Sequence, residues 1–502
     1  MRDFSSYLES QSIRYQTRIK QGAFVPIKPL ESSAFKTTAL YISLALVITS
    51  IAILPFSYSV ISIKLPVNLL FIALGVLALG FWREYRELAC DVRKIWFALV
   101  CLLVVVVMAY ISLFWAVDSR ATLQAIRQYL LEPSVFLVLG FLLTTRLDER
   151  GLRLLLIGLC LALSYHPIAT LWDFFASAQF KENGFAIMGY YRAMSHLFHT
   201  PHATLYAFWL ALGFCITLAF VVYARGLGRI LAFIALVVIF FSSLANGSRF
   251  LVLTCCFCLL LPFILLSYKH KAKILLSVGL LVCIASFGAY FFSDKLNPRF
   301  NVKNMIDNFR IVWSYYPAEM GRFSPDCYTY LDCSVYSKQE DENSKHIRYE
   351  ESSLSRIAAM KSGLTIASLN PFIPHGFGSL SELMKNLSAN YEEKLLPYRY
   401  LPINGVRSPM SHIHHQWISF LCETSIIGLV AISLFFIYFL AQTQKALICS
   451  TSTTASIIIL SLGCFVGALM FMFNFDIMLW REENLATFIL LGILLGVCYG
   501  KR

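Results

Sequence analysis

The chain has 502 residues, of which 58% are hydrophobic and only 14% charged, and its mean hydropathy is +0.66. These values exclude an ordinary soluble domain and a disordered chain; they indicate an all-α polytopic membrane protein. The net charge of +13 matches the Lys and Arg excess of cytoplasmic loops, so no nucleic-acid partner is inferred. Residues 1–37 form a basic segment (Arg2, Arg14, Arg18, Lys20, Lys28, Lys36) without the apolar core of a cleavable signal peptide. Apolar runs then predict about twelve spans, near 38–58, 66–82, 95–116, 131–145, 152–175, 203–223, 229–246, 250–267, 273–293, 416–441, 453–474 and 484–499. Nine therefore fall in 38–293 and three in 416–502, around a polar stretch at 294–415. No internal repeat of the transporter kind is visible.

Charge sets the orientation. With the basic N-terminus inside, the turns Arg83 to Lys94, Arg146 to Arg150, Arg225 to Arg229 and Lys269 to Lys273, and the one holding Lys445, are all cytoplasmic. Lys501 and Arg502 fall inside as well. The opposite, periplasmic face then carries residues 176–202 and 294–415. The longer piece has fourteen Lys and Arg against thirteen Asp and Glu, which is too polar for lipid. A helix-like run from Ser353 to Ala367 and the turn signals Asn370-Pro371 and His375-Gly376-Phe377-Gly378 predict a folded cap able to cover a site. Within it, Cys327 and Cys333 have five residues between them. On an oxidising face they suit a small disulfide loop, with two free thiols as the alternative. Most of the fourteen cysteines lie in apolar helices as small hydrophobes.

The same face gathers Arg192, Arg249, Arg356, Arg399, Arg407 and Arg481 with His412, His414 and His415, in HIHHQW at the mouth of an apolar helix. Arginine presents a permanently charged fork that suits phosphate oxygens. A histidine beside it suits proton removal from an attacking hydroxyl. Each group has a plainer reading. Arg192 and Arg249 can snorkel to the interface, and Arg356 can line a solvated helix or pair with Glu350 or Glu351. The histidine cluster suits zinc only in part, since no carboxylate or cysteine lies close in sequence to complete a site, so no metal is expected.

Three pieces resemble the O-antigen ligase and O-antigen polymerase family in order and spacing, over residues 240 to 440. They are SLANGSRFLVL around Arg249, SRIAAMKSGLTIASLNPFIPHGFGSL led by Arg356, and HHQWISFLCETSIIGLV from His414. Two positions depart: His415 stands where asparagine is usual, and Ser425 where a glycine is usual. The resemblance implies a GT-C-like inverting glycosyltransferase of a bacterial inner membrane. It implies an undecaprenyl-diphosphate-linked glycan as donor, and lipid A-core or a second lipid-linked glycan as acceptor. Carried over by position, His414 is the catalytic histidine and Arg249 and Arg356 contact the donor diphosphate, with Arg192 a weaker candidate at the same site. His412, His415, Arg399 and Arg407, on the same face, are candidate supporting residues. No cofactor is implied. A ligase is the first expectation; a polymerase or O-oligosaccharyltransferase of the same family is the alternative, and a transporter or flippase the more distant one.

Overall fold

The computed structural model describes residues 34–57, 61–187, 203–266, 351–380, 398–400, 407–409, 413–476 and 479–500, with isolated helical residues between 276 and 313. The order is α1 (Ala34–Ile53), α2 (Lys64–Phe81), α3 (Tyr85–Arg93), α4 (Trp96–Ile111), α5 (Ser119–Ile126), a π turn (Arg127–Leu131) and α6 (Glu132–Thr144). Then come α7 (Glu149–Ala176), α8 (Ala178–Asn183), α9 (Ala203–Tyr223), α10 (Leu227–Ala245), α11 (Arg249–Cys258), α12 (Leu261–Leu265) and α13 (Glu351–Leu369). A two-stranded antiparallel hairpin follows, β1 (Tyr398–Tyr400) with β2 (Arg407–Pro409). The chain ends on α14 (Gln416–Cys449), α15 (Thr453–Met472) and α16 (Arg481–Tyr499). The hairpin is the departure from an all-α expectation.

Among the described residues ten helical stretches are long and apolar enough to cross a membrane. They correspond to the expected spans apart from two. The stretch Arg249–Leu265 is a shorter apolar helix, and the span expected at 273–293 lies mostly outside the described residues. Two others run longer than their apolar runs. The fourth starts at Ser119 rather than 131, because amphipathic α5 leads into α6 through the π turn. The helix expected at 416–441 continues to Cys449, its polar last turns past the hydrophobic window.

Helices α15 and α16 form the axis. Every residue from Thr454 to Leu469 and from Glu483 to Val497 is buried, as expected of helices that are apolar all round and covered by others. Glycines let backbones approach where lipid supplies no hydrophobic drive. A Cβ on Gly140 of α6 would lie 2.5 Å from the Ile489 carbonyl oxygen; one on Gly492 would strike the Leu137 carbonyl and come within 2.9 Å of the Phe141 nitrogen. Polar contacts collect at the two ends of the bundle. At one, Arg146 pairs with Asp91 at 3.0 Å and Ser452 donates to Glu149 at 2.6 Å. At the other, Arg481 pairs with Glu132 at 3.2 Å, and α14 begins.

His415 is the N-cap of α14: its Nδ1 accepts from the Ile418 N–H at 3.4 Å. That bond needs a neutral ring. Asparagine and aspartate are favoured at such positions because their side-chain oxygen accepts the same orphan N–H. Histidine in place of the usual asparagine therefore keeps the acceptor. Burial pushes the imidazole pKa down from 6.5 to about 4.

Two outcomes follow for thermal unfolding in detergent. Gly492→Leu overfills the α6–α16 contact and lowers Tm, at a cost of about 1–3 kcal/mol; Gly75→Leu, with nothing within 4 Å of its Cβ position, leaves Tm unchanged. Equal Tm values would show that the close approach is not needed. Because His415 stays neutral in the fold while the unfolded chain protonates near the ordinary value, the unfolded state binds more protons between those pKa values. The stability from this residue is complete above pH 6.5 and is lost as pH falls toward 4. His415→Asn should flatten that part of the Tm profile, and an unaltered profile would remove His415 as its source.

Candidate active site

Ile413 sets the aim of its neighbour. It is fully buried in a cluster with Ala359, Ile366, Ala367, Leu380, Ile418 and Cys422, and it packs with Ile418 so closely on Gly363 of α13 that no side chain fits there. The next residue, His414, turns into the left-handed region with φ +53°, uncommon for a residue other than glycine. Its Nδ1 thereby comes 3.0 Å from Asp476 Oδ1. The second oxygen, Oδ2, lies 3.5 Å from Arg356 Nη2. Asp476 is 4% exposed, and it lies in the loop between α15 and α16. That loop is clamped to the start of α14: the Gln416 N–H donates to the Phe473 carbonyl at 2.8 Å, and the Leu479 N–H to Gln416 Oε1 at 3.2 Å.

A carboxylate on Nδ1 fixes the tautomer, so the ring carries its proton on Nδ1 and its basic lone pair on Nε2. It also stabilises the imidazolium that forms when Nε2 accepts a proton, the arrangement that serves a general base in hydrolytic triads. Arg356 balances the buried charge and leaves a guanidinium 26% exposed at the same point.

The turn after α13 docks into a break in α14. Ser425 has φ +64° and ψ 178°, a backbone region otherwise almost confined to glycine. The break frees the Cys422 carbonyl and the Ile426 N–H from each other. The His375 N–H donates to the first at 3.0 Å, and the second donates to the Pro371 carbonyl at 2.9 Å. Gly376 and Gly378 take φ +104° and +69°, and a Cβ on Gly378 would strike Ala125 of α5. The Phe377 N–H donates to Ser112 Oγ at 2.9 Å. Burial lowers the pKa of His375, which keeps the turn uncharged.

Of the residues singled out in the sequence, His414 and Arg356 meet through Asp476. Arg249 opens α11, following Gly247 in a left-handed turn (φ +68°). Arg356 pairs with Asp476; Glu350 lies outside the described residues. Arg481 is engaged by Glu132, which also holds Arg127 at 3.0 Å. The backbones of Arg399 and Arg407 lie on β1 and β2, opposite Ser408 and Tyr400. Arg192, His412, Cys327 and Cys333 lie outside the described residues. Among the described residues, no three of His, Cys, Asp and Glu converge as a metal-binding set. Asp476 and Glu132 were missed by sequence reasoning. The available signal was an acidic residue at the end of an apolar run, expensive unless paired or facing water.

No curated protein matches the chain. The family model described as O-antigen ligase matches residues 234–433, from within α10 through Arg249, Arg356 and His414 to the middle of α14, ending before Asp476. The ordered motifs over residues 240 to 440 and this match agree, and both support the O-antigen ligase and polymerase family for this part of the chain.

Proposed function

We propose that this protein is an O-antigen ligase, moving an O-polysaccharide from undecaprenyl diphosphate to a sugar hydroxyl of lipid A-core at the periplasmic face of a bacterial inner membrane. The observation that carries this reading is the His414–Asp476–Arg356 constellation within and beside the matched domain. The acceptor hydroxyl gives its proton to His414 Nε2 while its oxygen attacks the anomeric carbon of the donor. The bond from that carbon to the diphosphate oxygen breaks, undecaprenyl diphosphate leaves, and the single displacement inverts the anomeric configuration. Asp476 stabilises the imidazolium, and Arg249 and Arg356 take up charge on the leaving diphosphate, the part a metal ion plays elsewhere. Arg192 is a further donor contact in this reading. Sidedness rests on charge. The basic turns from Arg83 to Lys94, Arg146 to Arg150 and Arg225 to Arg229 belong to the end of the bundle away from His414, as the positive-inside rule requires of a periplasmic site. A polymerase of the same family shares donor and chemistry and differs in acceptor.

His414→Ala and Asp476→Asn should each keep normal membrane insertion and lower glycan transfer by about 10²- to 10⁴-fold in purified protein. Arg356→Lys, which keeps charge and loses the fork, should raise the donor KM. Full activity of both His414→Ala and Asp476→Asn at normal protein level would end the general-base assignment.

Lipopolysaccharide from the strain of origin separates the two acceptors. With His414→Ala, a ligase leaves bare core while lipid-linked polymer accumulates. A polymerase leaves core carrying a single repeat unit, and that banding pattern would replace the ligase reading with the alternative.

A further inference from the structure

Behind the first two turns of α14 lies a cavity of about 190 Å³, which is space for about six waters at their share of liquid volume. Gln416, Ser419 and Glu423 of α14 line one side of it, and Asn484 of α16 another. Tyr129, Phe420 and Trp480 add aromatic walls, with Trp480 at the rim, 37% exposed.

Two acceptors in this cavity have lone pairs to spare. Asn484 is 1% exposed; its Nδ2 donates to the Tyr129 carbonyl at 2.6 Å, and its Oδ1 has no hydrogen-bond partner. The Glu423 carboxylate faces the Gly378 N–H and retains further lone pairs. A buried amide oxygen left unsatisfied is costly, so an occupant that donates hydrogen bonds is favoured. A carboxylate inside a membrane helix is a functional feature by default. Acceptors between aromatic faces suit a ring with apolar faces and hydroxyl edges.

Placement identifies which ring. Ile418 and Cys422 turn toward α13, the helix of Arg356. At about 100° per residue, the residues lining the cavity point to a different side of α14. His414 sits at the helix tip between the two. A displacement at carbon needs the attacking hydroxyl and the leaving diphosphate on opposite sides of the reacting atom. With the arginine side given to the diphosphate, the cavity side is left for the acceptor.

We infer that the cavity lined by Glu423, Asn484 and Trp480 is the subsite for a hydroxyl-bearing sugar ring of the acceptor, with Glu423 and Asn484 Oδ1 accepting from its hydroxyls. The acceptor assignment rests on the transferase reading; the binding of a sugar ring does not.

Saturation-transfer NMR on the full-length protein in detergent tests binding alone, with the methyl glycosides of glucose, galactose and N-acetylglucosamine at millimolar concentration as probes. At least one glycoside should receive saturation from the wild-type protein. Its apparent affinity should fall about 3- to 10-fold in Glu423→Gln, the loss expected for one hydrogen bond whose accepting oxygen is replaced by an N–H donor. Glutamine still accepts from Gly378, so the turn and Tm are retained. Trp480→Ala, a change at the exposed rim, provides a second variant with the same expected loss. No saturation in the wild type, or equal affinity in all three proteins, overturns the subsite. In a transfer assay with lipid A-core as acceptor, Glu423→Gln should raise the acceptor KM by a similar factor and leave kcat and the donor KM in place. Transfer with unchanged acceptor KM in both variants overturns the subsite and leaves the transferase reading standing. Sugar binding lost in both variants, in a wild type that transfers no glycan to either lipid A-core or a lipid-linked repeat, supports the subsite and ends that reading.

Discussion

The buried carboxylate of Asp476 is the constraint on which the active end of this protein depends. A carboxylate held at 4% exposure must be compensated, because removing either partner of a buried ion pair leaves an expensive charge. It is compensated by two groups that come from distant parts of the chain, Arg356 on α13 and His414 before α14. The same demand therefore joins three elements: the loop after α15, the helix of the polar segment, and the tip of the helix that the family signature opens. Two hydrogen bonds between Gln416 and that loop, one given by its backbone N–H and one accepted by its side-chain Oε1, fix the distance at which the pairing occurs. A histidine on a mobile tip would lose this geometry, so the aim of the His414 ring follows from how Asp476 is neutralised.

The break in α14 plays the complementary part for the other half of the signature. A membrane helix can open only where other groups take up the freed amide and carbonyl. Here the Asn-Pro turn and the Gly-x-Gly turn supply them, from Pro371 and His375. The second motif is thus a backbone clamp on the third. This explains why an Arg-led helix is followed by turn residues at that spacing: the helix delivers Arg356, and the turn locks the register of α14 relative to it. It also explains the glycine habit at position 425. The backbone there is left-handed and extended, and serine bears strain of about 1–3 kcal/mol that glycine avoids. The residue is buried, and the constraint there is on φ rather than on space.

Much of this was legible in the sequence, for identifiable reasons. Spans of about twenty apolar residues declare themselves because lipid tolerates little else. The sequence was least informative where helices pass out of the apolar run. Arg120, Gln124 and Arg127 break the hydropathy of the fourth span, yet α5 and the π turn continue into α6 because Glu132 and Asn484 supply partners at the seam. Gln442, Gln444 and Lys445 likewise hide the last turns of α14. His414 and Arg356 were legible as members of ordered motifs. Their partner Asp476 was not, because the pairing spans 62 residues from His414 and no local period encodes it. His415 was legible as a departure from asparagine, and its purpose as a helix cap needed the geometry of Ile418.

The position of the constellation has a consequence for the kind of substrate it can serve. His414 and Arg356 are 19% and 26% exposed, at the level where α14 leaves the apolar run. A soluble donor would gain nothing from that level, whereas a diphosphate tethered to an isoprenoid is held there by its own tail. The tether also reduces the translational freedom lost on binding, a large part of the cost of any association. A second tethered substrate gains in the same way, because both reacting groups are then confined to one thin layer. In the proposed reaction few contacts to each glycan are then needed: charge for the diphosphate, a base for one hydroxyl and a single ring-sized cavity would suffice where a soluble enzyme would need an extended groove. That economy fits a domain whose recognisable residues, from 234 to 433, are spent on aligning three helix ends rather than on enclosing a polymer.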